Sequence, residues 1–225
     1  MIEVKNLQKT FKNGMVETRV LKGIDFKAEE GEFISIVGRS GAGKSTFLYQ
    51  MSLLDDPTSG EIIIDGHDTH TMSAHQKMRL RLKKFGFVFQ DYALLPELTA
   101  LENVALPLLM QGHSKRSAYK EAAAALEQAG LGERLKNLPS QLSGGEQQRV
   151  SIVRAVAHKP QVLFADEPTA NLDNQSSEVI MGIFKDLHKQ GQTIIMVTHE
   201  EQYAKLTERT IHIDDGKIVS TVKHK

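Results

Sequence analysis

Cysteine is missing from all 225 residues, which excludes disulfides, thiolate metal sites and cysteine nucleophiles. An excess of charge is missing as well: 28 Lys and Arg balance 28 Asp and Glu, so no net field draws the chain to nucleic acid or to an anionic membrane surface. No window approaches the roughly 18 consecutive apolar residues of a membrane span. The first ten residues, MIEVKNLQKT, carry Glu3 and Lys5 where a signal peptide has a basic patch followed by an apolar run. The expectation is a chain that neither crosses a membrane nor leaves through a signal peptide. Internal repeats and low-complexity tracts are absent too. What is present, 40% apolar residues over this length, suffices for a large core in one domain or one domain with an insertion.

Strand signals, rich in Ile, Val and Phe and punctuated by Gly or Asp, recur at 2–11, 18–28, 32–38, 61–66, 85–90, 161–166, 192–198, 210–213 and 217–222. Four of them (33–37, 85–89, 162–165 and 193–197) are short and almost wholly apolar, which suits a parallel sheet covered on both faces. The alternating N-terminal runs suit an antiparallel sheet with one solvated face. Between Leu94 and Pro160 the strand signals stop and three helices are expected: 98–112, 114–130 and one opened by Ser143. The basic run KMRLRLKK (77–84) reads as a solvated helix face, and His67, His70 and His75 lack the helical spacing of a metal set.

The segment EFISIVGRSGAGKSTF is a strand, a glycine loop and a helix start in succession. Gly38, Gly43, Lys44 and Ser45 satisfy G-x-x-x-x-G-K-[ST], in the context that this pattern requires. The nucleotide-binding residues would be Gly38, Arg39, Ser40, Gly41, Ala42, Gly43, Lys44, Ser45 and Thr46, with the backbone N–H groups from Gly41 to Ser45 wrapping the phosphates. Lys44 would set a positive charge between the β- and γ-phosphates, and the Ser45 hydroxyl would ligate Mg2+.

QVLFADEP drives an apolar strand into two adjacent carboxylates. Beside a P-loop, Asp166 is placed to hold Mg2+ through its water shell and Glu167 to orient the attacking water; taken alone, the pair would read as a helix N-cap. His199 ends a third apolar strand, and its position fits either a satisfied polar group at a strand end or a side chain aimed at a γ-phosphate. LSGGEQQRV (142–150) sets two glycines in the first turn of a helix, each costing about 1 kcal/mol relative to alanine. Ser143 and Glu146 complete the S-x-x-E capping box; the box does not explain the glycines.

Taken in order, Gly38–Ser45, Gln90 after a strand, LSGGEQQRV, LFADEP, NLD and His199 resemble the nucleotide-binding subunit of ABC transporters, and the resemblance covers the whole chain. It implies an α/β fold: a RecA-like P-loop NTPase core (about 1–90 and 160–225) with an N-terminal antiparallel β subdomain and an inserted α-helical subdomain (about 91–159), all within one domain, 1–225. It implies ATP and Mg2+ and the hydrolysis of ATP to ADP and phosphate. Phe11 looks like the aromatic that stacks on adenine, where the family more often has Tyr. Gln90 resembles the glutamine that senses Mg2+ and water, Asp173 the end of the loop crossing between subunits, and His199 the switch histidine. Ser143, Gly144 and Gly145 would close on an ATP held by the P-loop of another copy, giving an ATP-bound homodimer.

FGFVFQDYALLPELTALENVALPL together with FADEPTANLD looks closest to the lipoprotein-releasing and macrolide-efflux branch. That resemblance implies an integral membrane permease subunit as partner, docked near Gln90 to Leu101 through Tyr92, Leu94, Leu95 and Leu98 unless these pack in the core. It also implies a cytoplasmic location at the inner face of the membrane. The branch includes the cell-division ATPase, so regulation of a membrane partner without transport is the alternative. A soluble ATPase acting on nucleic acid is less favoured, because the interval from Thr46 to Leu142 holds no long coiled coil and the chain has one cassette and no net charge.

Overall fold

The structure is a computed structural model that describes residues 1–14 and 16–224. In chain order the strands and helices are β1 (Ile2–Asn13), β2 (Val16–Ala28), β3 (Phe33–Val37), α1 (Lys44–Met51), β4 (Ser59–Ile64), β5 (His67–Asp68), α2 (Ala74–Lys84) and β6 (Phe85–Val88). They continue with α3 (Ala100–Met110), α4 (Lys115–Gln128), α5 (Gly144–Val156), β7 (Val162–Asp166), α6 (Asn174–Lys189), β8 (Thr193–Val197), α7 (Glu201–Ala204), β9 (Arg209–Asp214) and β10 (Lys217–Lys223). All nine expected strands and all three expected helices form. The two-residue β5 is additional and pairs only Ile63 with Asp68 and Ile64 with His67, too short to leave a pattern in sequence.

The chain divides into two compact units, residues 1–79 with 187–225, and residues 80–186. The first unit holds the antiparallel sheet β2-β1-β4-β5 and the strands β10-β9-β3-β8. In the antiparallel sheet Ile2, Val4 and Leu7 of β1 and Ile24, Phe26 and Ala28 of β2 are buried, the one-faced burial expected of alternating strands. β3 pairs in parallel with both β8 and β9, and every residue of β8 is buried. Burial on both faces is why these strands read as unbroken apolar runs. Helix α1 contacts β8.

In the second unit β6 and β7 pair in parallel, Phe85 opposite Val162 through Val88 opposite Ala165. Phe85 and Phe164 meet edge to face at 5.1 Å between ring centroids. Helices α3, α4 and α5 share a core of Val104, Leu108, Ala118, Ala122, Leu126, Val150 and Val153, where alanines at i and i+4 on α4 let neighbouring backbones come close. Helix α3 starts with a full capping box, Thr99 with Glu102. Helix α2 crosses the division between the units and has no buried residue, as a solvated basic face requires; Lys77 pairs with Asp56 at 2.5 Å. Among the described residues no helix is long and apolar enough to cross a membrane.

Candidate nucleotide site and signature face

In the first unit the loop after β3 turns into α1 through Gly43, whose φ of 99° is the left-handed conformation open to glycine. A β-carbon on Gly38 would lie 2.1 Å from the carbonyl oxygen of Ile213, so the neighbouring strand excludes every side chain there. Lys44 is buried; its ammonium donates to the carbonyl oxygens of Gly38 at 3.0 Å and Arg39 at 3.1 Å. Arg39, Ser40 and Gly41 are exposed, Ala42 and Gly43 are buried, and Ser45 and Thr46 are half-buried in the first turn of α1. No acidic side chain stands in that turn, so the positive end of the helix dipole keeps its affinity for an anion.

Phe11 lies on β1, 46% exposed, with the Lys9 ammonium 4.9 Å from the ring centroid over one face. Lys9 is held there by Asp55 at 2.8 Å. His199 is exposed just after β8, beyond buried Thr198, whose backbone N–H donates to the Ile36 carbonyl at 3.1 Å. His67 faces the Asp65 carbonyl and His70 donates its N–H to Asp68; these histidines serve turn geometry.

In the second unit Asp166 ends β7 and is buried, 4% exposed. Glu167 follows with φ 46°, a left-handed conformation that costs a non-glycine residue about 1 to 3 kcal/mol and gathers at functional positions. The next turn is held by Gln148, which donates to the Pro168 carbonyl at 2.6 Å. Asp173 N-caps α6: its two carboxylate oxygens accept from the Ser176 N–H at 2.8 Å and the Ser176 hydroxyl at 2.9 Å. Those bonds, the backbone one foremost, hold its pKa below the ordinary carboxylate value.

The signature helix α5 opens on the expected capping box. The Ser143 hydroxyl accepts from the Glu146 N–H at 3.2 Å, and Glu146 accepts from the Ser143 N–H at 2.8 Å. Arg134 adds a bond to Glu146 at 2.9 Å. Ser143 is exposed, Gly144 half-buried and Gly145 buried. Both glycines also face neighbours within their own unit. A β-carbon on Gly144 would stand 3.0 Å from the Tyr92 hydroxyl oxygen, and one on Gly145 would stand 3.0 Å from Ser176 Oγ.

Gln90 is exposed beyond β6, and its backbone carbonyl accepts from Asn171 Nδ2 at 3.0 Å. The segment after it is tied down at both ends. Arg154 of α5 donates to the carbonyls of Tyr92 at 2.9 Å and Ala93 at 2.5 Å, two consecutive left-handed residues. Buried Asn103 accepts from the Leu95 N–H and donates to the carbonyls of Leu95, Leu98 and Thr99. Tyr92 was expected only as an apolar docking residue and Asn171 only as the start of NLD; their hydrogen bonds, and any role for Arg154 and Asn103, were not legible, because no spacing rule marks a side chain that serves the backbone of another segment. Of the apolar residues expected to meet a partner, Leu94 packs against the helical core, Leu98 is half-buried and Leu95 is 42% exposed. Nearby, a groove of about 250 Å³ is lined by Phe87, Phe89, Leu106, Met110, Arg154 and His158.

The residues present fit magnesium. Among the described residues no three His, Cys, Asp or Glu side chains converge as a self-sufficient cage. Ser45 in the first turn of α1, in the first unit, and buried Asp166 at the end of β7, in the second, are each an oxygen donor of the kind that magnesium takes beside phosphates and water.

The family described as ABC transporter matches residues 21–170. The uncharacterized ABC transporter ATP-binding protein MJ1508 of Methanocaldococcus jannaschii is 48% identical over 222 residues, covering 99% of each chain. The lipoprotein-releasing system ATP-binding protein LolD of Aquifex aeolicus is 45% identical over 222 residues, 99% of this chain and 97% of that one. The macrolide export ATP-binding/permease protein MacB of Brucella melitensis is 45% identical over 220 residues, 98% of this chain and 34% of that longer protein. Among solved structures, the dimeric post-hydrolysis state of the ATP-binding cassette MJ0796 bound to ADP and Pi superposes with a TM-score of 0.93. It is 43% identical, with 100% of this chain and 99% of that one covered.

Proposed function

The chain belongs to the ABC transporter family and is its ATP-binding, ATP-hydrolysing cassette; from that premise we propose that it drives an integral membrane permease subunit by closing as a twofold homodimer around two ATP. The observation that carries the nucleotide part is the loop at α1, where Lys44 is held over the carbonyls of Gly38 and Arg39 at an uncompensated helix N-terminus. The relatives named for lipoprotein release and macrolide export support a membrane partner on the export or force-transmitting side of the family.

In this reading the amides from Gly38 to Thr46 bind the phosphates and Lys44 counters the charge that builds on them. Phe11 stacks on the adenine with the ring face that Lys9 does not occupy. Ser45, Gln90 and Asp166 would hold Mg2+, which would supply positive charge to neutralise the phosphates. Glu167 accepts a proton from the water that attacks the γ-phosphorus, and the bond to the bridging oxygen of ADP breaks as the new P–O bond forms. His199 orients the γ-phosphate and the water. Ser143, Gly144 and Gly145 of one protomer close on the nucleotide of its partner, with Asp173 at the crossing loop, so ATP acts as interface glue that hydrolysis removes. A short helix of the membrane subunit docks on the apolar groove of Phe87, Phe89, Leu106 and Met110, at the inner face of the membrane.

Phosphate release by the purified chain with ATP and Mg2+, together with light scattering of the Glu167→Gln variant with and without ATP, tests the reading. ATP-dependent doubling of mass is expected. No release from the native chain and no dimer with ATP would overturn it.

A further inference from the structure

The link between the Gln90 segment and the face that closes on the partner's nucleotide runs through a side chain that the preceding reading leaves idle. Tyr92 stands two residues after Gln90. Its hydroxyl oxygen lies 3.0 Å from the point where a β-carbon of Gly144 would be and 3.5 Å from the Asn171 carbonyl. Asn171 in turn donates from its side chain to the Gln90 carbonyl at 3.0 Å, closing a circuit of three segments: the stretch after β6, the first turn of α5, and the turn before α6. All belong to the second unit.

The backbone of Tyr92 is not free to follow its side chain. Tyr92 and Ala93 have φ of 64° and 47°, and Arg154, one face of the same α5 helix further on, donates to both of their carbonyls. Two left-handed residues in succession persist only where surrounding contacts hold them. The phenol therefore projects from a fixed backbone onto the first turn of α5, and a glycine there is what admits it. A phenol is protonated at neutral pH, and partial burial raises its pKa further, so the group is available as a hydrogen-bond donor.

We propose that Tyr92 is a positioning residue that sets the first turn of α5 and the Asn171–Asp173 turn in register with the Gln90 segment, so that movement of that segment alters how tightly the signature face closes on ATP in the dimer. This rests on the dimer reading above. It gives Gly144 a second reason to lack a side chain, one that operates inside the subunit.

Two measurements keep the inference separate from the reading beneath it. In the chain without added nucleotide, Tyr92→Ala is expected to raise amide hydrogen exchange about tenfold at residues 144–146 and 171–173 while leaving the P-loop amides unchanged. Unchanged exchange at those segments overturns the inference whatever ATP does. In a Glu167→Gln background, Tyr92→Ala is expected to weaken ATP-driven dimerisation about tenfold while the monomer's affinity for a fluorescent ATP analogue stays within about twofold. Tyr92→Phe, which keeps the ring and loses the donor, should fall between. A dimerisation constant equal to that of the background, or equal losses in dimerisation and monomer binding, overturns it. If Glu167→Gln alone does not dimerise with ATP, the dimer reading fails and the exchange result still decides whether Tyr92 holds the three segments.

Discussion

The ammonium of Lys44 donates to the carbonyl oxygen of Gly38 at 3.0 Å, so the cation of the P-loop rests on the loop's own backbone. A phosphate oxygen in that loop exchanges a neutral acceptor for an anionic one and so adds an ion-pair attraction to a bond whose donor is already charged. Lys44→Ala removes a charged hydrogen bond worth about 1.5 to 3 kcal/mol, so ATP should bind about 10- to 100-fold more weakly, with phosphate release falling further. Titration with a fluorescent ATP analogue measures the first effect; an unchanged Kd would contradict the assignment.

Glu167 is held in a left-handed backbone immediately after buried Asp166. Replacing its carboxylate by an isosteric amide keeps shape and removes the proton acceptor. General-base removal costs about 10²- to 10⁴-fold in rate. Glu167→Gln should therefore lose at least about 100-fold in phosphate release while still binding ATP. A variant with native turnover removes Glu167 from the catalytic role.

Gly145 sits in the first turn of α5, where alanine should be better by about 1 kcal/mol. Its missing β-carbon would meet Ser176 Oγ at 3.0 Å. Once Ser176→Ala has removed that oxygen, leaving only an approach of 3.3 Å to the β-carbon of residue 176, adding Gly145→Ala should raise unfolding stability by up to about 1 kcal/mol in urea. The same double variant should dimerise with ATP more weakly in the Glu167→Gln background, because a methyl packed against residue 176 displaces the first turn of α5, which carries Ser143 and Gly144 toward the nucleotide in the proposed dimer. Gains in both would show that the glycine serves packing alone.

Glu146 is held below the ordinary glutamate value of 4.5, first by the bond from the Ser143 N–H and then by Arg134. A depressed folded-state pKa stabilises the fold above the unfolded value, and that contribution disappears as the pH falls through the folded value. Glu146→Gln, which retains a capping acceptor without the charge, should be less stable than the native chain at pH 7 by a fraction of the roughly 1 kcal/mol typical of a cap. The gap should begin to shrink below about pH 4.5 and vanish once the pH has fallen through the lower folded value. Urea melts from pH 7 to pH 3 measure it; a gap independent of pH refutes the electrostatic part.

The motifs were legible because nucleotide chemistry demands certain residue types at certain spacings. Gly38 to Ser45, Asp166 with Glu167, and the Ser143–Glu146 box are local in sequence, so the pattern and the geometry are nearly the same thing. The strands were legible for a similar reason: β3, β6, β7 and β8 are largely buried on both faces and so are mostly apolar. β5 escaped notice because two residues carry no periodicity.

By itself, then, the sequence determined the family, the nucleotide loop, the carboxylate pair and the capped signature helix. Tertiary structure alone decided that Tyr92 meets Gly144, that Arg154 secures the turn after Gln90, and that Asn171 binds the Gln90 carbonyl. The reason is physical. Local rules follow from backbone geometry over three or four residues, whereas these contacts join positions about fifty to eighty residues apart, where only the packing of strands and helices brings a donor to its acceptor.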